Sequence, residues 1–369
     1  MQARLKVVQS RIKAVFPAVA FFGGLIWDAI TLGSSITSLD LALLLLYLMV
    51  AAILLLIIGN RRDPHGFTDD QETVAIQDKM SPWQRRLHWV RLEGPVFALQ
   101  FCYGSLFSAL FIFYFLSSSY WPSFLVVIGL MSFLCLNEFL ESHYHRFTLT
   151  WTLFGICAVL YFNFALPHLF RSIHPMWFFI STALGVVLVY VLKSLSPKAQ
   201  GVLWPTYVSA GALVLLYLGN AIPPVPLVKK DLIICRNLEK NGAAYTARIE
   251  KPNSYFFWHR SESVLHQLPD EKVFCFTSVF LPQGISCTLY HRWMYRDPKK
   301  SWVEQSRISF PIQGGRQDGY RGFTYKRNLT PGRWMVRVET ESGRVLGTTR
   351  FEAVAVQDSL MEYKYLHLN

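Results

Sequence analysis

Two regimes of hydrophobic patterning divide the chain. Up to about residue 222 the apolar residues run in unbroken stretches, and from about Lys229 onward they alternate with polar ones. A helix needs about 20 apolar residues to cross a bilayer core. Seven stretches meet that length, roughly 14–33, 39–59, 94–117, 120–140, 148–166, 176–193 and 202–222. The second, LALLLLYLMVAAILLLII, carries no charge, whereas the first carries Asp28 and a Gly-Gly pair. Between the fifth and sixth lies PHLFRSIHP, residues 167–175, which predicts a tight turn.

The second regime predicts strands. In ISCTLYHRWMYRD, Cys287, Leu289, His291, Trp293 and Tyr295 alternate with Thr288, Tyr290, Arg292 and Met294. In GRWMVRVET, Trp334, Val336 and Val338 alternate with Met335, Arg337 and Glu339. KVFCFTSVF, SRISFPI, GYRGFTYKR and VLGTTRFEAV repeat the pattern, separated by LPQG, YRDPKK, QGGRQDG, LTPG and ESG. Short alternating strands between turn signals predict an antiparallel sandwich. The expected fold is therefore a multi-span helical membrane domain of about seven helices over 1–222, then a Pro-rich linker over 223–230. An all-β, immunoglobulin-like antiparallel sandwich follows over 231–369. The linker AIPPVPL suits a span exit, because proline lacks an N–H donor and restricts the residue before it.

Composition agrees with a membrane protein: of 369 residues, 52% are hydrophobic and 16% charged, and mean hydropathy is +0.27. Charge then orients the spans, since Lys and Arg concentrate in cytoplasmic loops. With the N-terminus inside, segments 1–13, 60–93, the ESHYHRF turn and 193–200 hold four, six, one and two basic residues. The opposite loops hold only Arg171. Seven spans place everything after Pro226 outside, in the periplasm of a bacterial inner membrane; six would place it in the cytoplasm. Four basic residues before the first apolar run, with no small-residue cleavage site after it, predict a signal anchor rather than a cleaved signal peptide. SPWQRRLHWVRLEGP, just before the third span, fits two descriptions. One is a short helix in the lipid interface, with Trp83, Leu87 and Val90 on one face; the other is a basic stop.

The β half has a motif-level likeness. His291-Arg-Trp293, then Arg321 and Lys326, then Gly332-Arg-Trp334-Met-Val336, then Glu341-Ser-Gly343-Arg-Val345-Leu follow one another between about Val273 and Val354. This stretch resembles the bacterial domain of unknown function 2914. The multi-span half resembles the uncharacterised region, domain of unknown function 5924, that accompanies it. The resemblance implies a compact β domain tethered to an inner membrane, and it brings no established activity.

Candidate chemistry falls in two places. In the β half, His291, Trp293, Arg321, Lys326 and Trp334 form a candidate binding surface of aromatic platforms and cations. Such a surface suits a periplasmic protein, a glycan or an anionic lipid headgroup. The competing assignment puts both tryptophans in the sandwich core, and the dominance of large aromatics in β cores favours it. Arg321 and Lys326 are expected to point outward. From Val228 on, 22 basic residues face 14 acidic ones, a net +8 that attracts anions. Nucleic acid is excluded by the compartment. In the membrane half, Glu138, Glu141 and His145 share a helix face in LNEFLESHYHRF, and Asp28 sits within a span. They would serve a membrane-embedded enzyme or transporter acting on a lipid-linked substrate. Near the end of a span, however, Glu141 and His145 also reach cytoplasmic water unaided.

No Walker loop, G-x-S-x-G elbow, H-E-x-x-H or dinucleotide fingerprint occurs, so no cofactor or metal is expected and the balance tilts away from an enzyme. Cys102, Cys135 and Cys157 lie in spans as packing residues. Cys235, Cys275 and Cys287 would meet an oxidising compartment. A hairpin closed by LPQG would bring Cys275 and Cys287 near each other without setting them opposite.

Overall fold

A computed structural model describes residues 26, 28, 30, 36–60, 83, 94–117, 126–133, 147–199, 201–222, 224–242, 244–250, 263–297, 301–315, 319–356 and 363–368. Two compact units emerge. One comprises Met1–Phe113, Val126–Leu166 and Met176–Leu218; the other comprises Tyr114–Leu125, Pro167–Pro175 and Gly219–Asn369.

The first unit is helical. Helices α1 (Ser38–Gly59), α2 (Gly94–Ser117), α3 (Phe147–Leu169) and α4 (Met176–Ser194) are long and apolar enough to cross a membrane. Four expected spans thus appear with nearly their expected bounds. The seventh shortens to α5, Trp204–Leu218, whose 15 residues give a length of about 22 Å, below a bilayer core. Gly219 and Asn220 end it, Asn220 adopting φ 57, so the helix stops short of Ala221 and Ile222. The expected first and fourth spans lie largely outside the described residues, although 26, 28, 30 and 126–133 are helical. The expected turn at 167–175 also starts later, because α3 continues through Pro167 to Leu169. Within its last turn a missing N–H costs little.

Capping and packing explain this bundle. Thr37 caps α1: its Oγ1 accepts from the Asp40 N–H at 3.2 Å, and Asp40 Oδ2 accepts from the Thr37 N–H at 2.8 Å. In its most apolar stretch α3 is 78% buried, against 28% for α1, so α3 is the bundle's centre and α1 presents leucines outward. Gly185 of α4 lets that helix approach α3, since a Cβ there would stand 2.5 Å from Val159 Cγ2. Small residues at such crossings are how helices pack where lipid offers no hydrophobic drive.

Among the described residues the second unit holds eleven strands in three sheets. They are β1 (Val228–Cys235), β2 (Asn237–Asn241), β3 (Ala244–Glu250), β4 (Val264–Gln267), β5 (Lys272–Phe280) and β6 (Ser286–Arg296). Then follow β7 (Trp302–Gln313), β8 (Tyr320–Arg327), β9 (Gly332–Thr340), β10 (Val345–Ala355) and β11 (Tyr363–Leu368). The sheet orders are β1-β5-β8, β4-β10-β9-β6-β7 and β11-β3-β2. Since β1 begins at Val228, the expected linker 223–230 ends inside a strand.

The sandwich has a third layer. Ile234, Val273 and Cys275 of the three-stranded central sheet pack with Trp293, Trp334, Val336 and Phe351 of the five-stranded sheet. Their neighbours of opposite parity, Ile233, Cys235 and Phe276, pack with Ala247, Ile249 and Leu368 of β3 and β11. Alternate residues point to opposite faces of a strand, so β1 and β5 are buried on both. This departs from a two-layer antiparallel sandwich, as does the parallel pairing of β4 with β10, Val264 opposite Glu352.

LPQG closes no hairpin: β5 and β6 belong to different sheets, and the turn carries the chain between layers. No disulfide joins Cys235, Cys275 and Cys287, which lie against three separate hydrophobic clusters. Burial pushes the Cys287 thiol up to about 12 and that of Cys275 higher still. YRDPKK and ESG do join adjacent strands, β6 to β7 and β9 to β10.

Candidate functional site

The five-stranded sheet has a second face, set by parity. Opposite the core residues Leu289, His291, Trp293, Trp334 and Phe351, the chain places Tyr290, Arg292, Met294 and Arg296 on β6, and Arg333, Met335, Arg337 and Glu339 on β9. Arg350 and Glu352 continue the face on β10. On β7 the register slips by one residue between the partners of Trp293 and Met294, which carries Trp302 and Glu304 onto the same face as Arg307.

Two arginines of this face are neutralised. Arg292 Nε lies 2.6 Å from Glu304, and Arg307 Nε lies 3.0 Å from the buried Glu339. Arg307 also stacks on Tyr290, its Cζ 3.9 Å from the ring centroid. At one end of the sheet the arrangement differs. Arg296, Arg333 and Arg350 line a groove of about 270 Å³ together with Trp302, Glu352, Ser263 and the edges of Trp334 and Phe351. Among the described residues no carboxylate lies within ion-pair distance of these three guanidinium groups. Gly332 holds φ 131, a conformation L side chains rarely adopt, and this sets the start of β9 beside Arg333. Three planar forks, an indole and one carboxylate can together bind a polar, anionic molecule.

The residues expected as a surface do not form one. His291 and Trp293 are fully buried. Trp293 Nε1 donates to Thr324 Oγ1 at 3.0 Å, while the His291 ring lies between Thr324 Oγ1 (2.9 Å from Nδ1) and Thr277 Oγ1 (2.6 Å from Nε2). A neutral imidazole protonated at Nε2 satisfies this chain, with the Thr324 hydroxyl donating to Nδ1. Trp334 is 4% exposed, donates from Nε1 to the Thr330 carbonyl at 2.8 Å, and shows the groove only an edge.

Lys326, expected to point outward, instead shares the inward parity of Thr324. Its Nζ stands 5.5 Å from the centroid of a Trp334 ring, and burial lowers its pKa. Arg321 takes the opposite face of β8. Of the membrane candidates, Glu138, Glu141 and His145 lie outside the described residues. Asp28 Oδ2 accepts a 2.6 Å hydrogen bond from Ser108. The residues that reasoning from sequence missed are Arg296, Trp302, Arg333, Arg350 and Glu352. For Arg296, Arg333, Arg350 and Glu352 the signal was parity, since each neighbours a core-packed residue, Tyr295, Trp334 or Phe351. Trp302 lies ahead of the alternation read in SRISFPI and had no such signal.

The His291 network sets a pH response. Burial pushes the His291 pKa down to about 3, whereas the unfolded chain would titrate near the ordinary 6.5. As pH falls below 6.5 the unfolded state binds the proton first. The fold should therefore lose about 1.4 kcal/mol of stability per pH unit between 6.5 and 3. Unfolding free energies of the full chain in uncharged detergent at pH 7, 6 and 5 will measure the slope. His291→Gln should flatten it by about 1 kcal/mol per unit; an unchanged slope would show that other groups set it.

The comparisons with known proteins bear on the same sheet. Residues 286–353 match a family model described as "Protein of unknown function (DUF2914)". The matched span runs from β6 into β10. It contains every groove residue but Ser263. None of the curated proteins matches the chain.

Among solved structures, an immunoglobulin-like protein from Pseudomonas aeruginosa is 10% identical, with 34% of this chain and 97% of that one covered at TM-score 0.20. A β-glucosidase from Listeria innocua in complex with gluconolactone is 10% identical over 32% of this chain at TM-score 0.20. The match spans only 17% of the glucosidase's own length. Likenesses this slight carry no argument about the site.

Proposed function

We propose that the protein is an inner-membrane binding module. Its helices, seven when the expected spans 14–33 and 120–140 are counted, anchor a periplasmic β domain that recognises an envelope partner through the basic face of its five-stranded sheet. The observation that carries this reading is the convergence of Arg296, Arg333 and Arg350, with no ion-pair partner among the described residues, on one groove beside Trp302. Arg292 and Arg307 on the same face have found carboxylates, whereas these three line the groove without one and are left for a ligand.

Two features support the periplasmic side. Ile173, in the loop between α3 and α4, packs against the β core, so that loop shares a side with the β domain. Between them in the chain lie α4, which is long enough to cross, and α5, whose 15 residues would cross only with the flanking apolar residues Val202, Leu203, Ala221 and Ile222 completing the span. Two crossings return the chain to one side. That loop holds only Arg171, whereas the loop after α4 follows Lys193 and contains Lys198, the bias of a cytoplasmic segment.

Fusions after Asn369 test the side: alkaline phosphatase should be active and green fluorescent protein dark, and the reverse would sink the assignment. Complementation of a deletion strain tests the face. Arg333→Glu with Arg350→Glu should abolish function at normal protein level, while alanine at Glu138, Glu141 and His145 should preserve it. The opposite pattern would favour the membrane-embedded enzyme or transporter.

A further inference from the structure

We infer that the groove at the end of the five-stranded sheet binds an acidic sugar, a pyranose carrying a carboxylate, within a saccharide chain. This rests on the binding-module reading above and names its ligand class. Three observations narrow the chemistry. First, Arg296, Arg333 and Arg350 have no ion-pair partner among the described residues, while Arg292 and Arg307 of the same face are each held by a glutamate. Three guanidinium groups that share a groove with a single carboxylate, Glu352, keep a net positive charge, and an oxyanion relieves their repulsion. Planar forks match a carboxylate bidentately.

Second, the groove also holds Glu352 and Ser263. A carboxylate in an anion site repels a bare phosphate or a cluster of headgroups. It accepts, however, from the hydroxyls of a sugar ring, and Ser263 adds a second polar contact. Mixed charge of this kind suits a ligand that is anionic at one point and hydroxyl-rich around it. Third, Trp302 stands opposite Arg296 across the β6–β7 hairpin and is half-buried. Its indole offers an apolar plane for the C–H face of a pyranose. The groove's roughly 270 Å³ accommodates about one ring, and its open form lets a chain continue on either side.

Register explains why the residues meet. Glu352 pairs with Arg333 across β9–β10, and the Glu352 N–H donates to the Ser263 carbonyl at 2.9 Å. Tyr295 pairs with Trp334, which brings Arg296, the next residue, beside Arg333. One row across the sheet end thus supplies the hydroxyl acceptors, the cations and the stacking plane.

Calorimetric titration of the full chain in uncharged detergent tests the inference, with trigalacturonate, maltotriose and inorganic phosphate as probes. Trigalacturonate should bind saturably and at least about tenfold more tightly than maltotriose, the discrimination expected of one charge-assisted pair. Arg333→Gln and Arg350→Gln should each weaken it by about tenfold or more, and Trp302→Ala by about fivefold. Arg327→Gln, an exposed cation on β8, should change it by less than about twofold.

Equal affinity for maltotriose, or indifference to Arg333→Gln and Arg350→Gln, would overturn the inference. Phosphate binding as tightly at the same residues would overturn the sugar acid and leave the binding module standing. Absence of any binding would also overturn the ligand class. The module reading falls separately, on the complementation result for the Arg333→Glu, Arg350→Glu chain.

Discussion

Arg236→Ala should destabilise the β domain by about 3–5 kcal/mol, because it strands two carboxylates that the arginine now neutralises. The Arg236 side chain is fully buried. Its fork meets Glu271 through Nε at 2.9 Å and Nη2 at 2.5 Å, and its Nη1 reaches the Tyr363 hydroxyl at 2.7 Å and Glu250 at 3.4 Å. Glu250 in turn accepts from the His266 N–H at 3.0 Å, and its other oxygen lies 2.8 Å from the His266 ring. Glu271 accepts from the Leu268 N–H at 3.1 Å. One guanidinium therefore ties the β1–β2 corner to β3, to the parallel strand β4, to the turn before β5 and to β11.

Arg236→Lys should recover only part of the loss, since an ammonium cannot span Glu271 bidentately. Pulse proteolysis of the full chain across a urea series in uncharged detergent will read the midpoints. A wild-type midpoint for Arg236→Ala would mean that water or neighbouring cations satisfy the glutamates.

How far the sequence foretold this arrangement depends on what each feature rests on. Apolar run length is a local property, so α1 to α4 were legible nearly to the residue. The seventh span was over-extended because hydropathy continues through Ala221 and Ile222 while the backbone turns at Gly219 and Asn220. Alternation is also local, and it exposed β5 to β10. It could not reveal the third layer, because in β1 both parities of LIIC are apolar and the pattern carries no preferred face.

Turn chemistry was similarly silent about destination: LPQG and ESG look alike, yet one changes sheets and the other joins adjacent strands. For the site, parity alone put Arg292, Arg296, Arg333 and Arg337 on one face. Which of them would find a carboxylate depends on cross-strand register. The one-residue slip in β7 brings Glu304 to Arg292, and no local signal in the sequence announces it.

The second large effect concerns the core beneath that face. Trp293→Ala should cost about 3–5 kcal/mol, the range for deleting a buried aromatic, and a large share of a domain's total stability. Trp293 sits among Val273, Cys275, Val336 and Phe351, its ring 6.4 Å from that of Phe351 in an edge-on contact. Alanine would leave a cavity between two sheets whose backbones are fixed by ladders on both sides, so collapse can recover little of it.

A polar cost adds to the apolar one. The indole N–H donates to Thr324, which also contacts His291, so removing the ring loosens the chain from Trp293 to Thr277. Trp293→Phe separates the two terms: it restores most of the volume and should cost about 1–2 kcal/mol, mainly for the lost donor. Arg321→Ala, half-buried on the face of β8 away from Trp293, should cost only about 1 kcal/mol. Denaturant-dependent hydrogen exchange of the full chain, read in peptides from β6 and β9, measures all three. If Trp293→Ala leaves β9 as protected as in the wild type, the two sheets are not joined through this residue. The His291 hydroxyl network, rather than the aromatic core, would then be what holds them together.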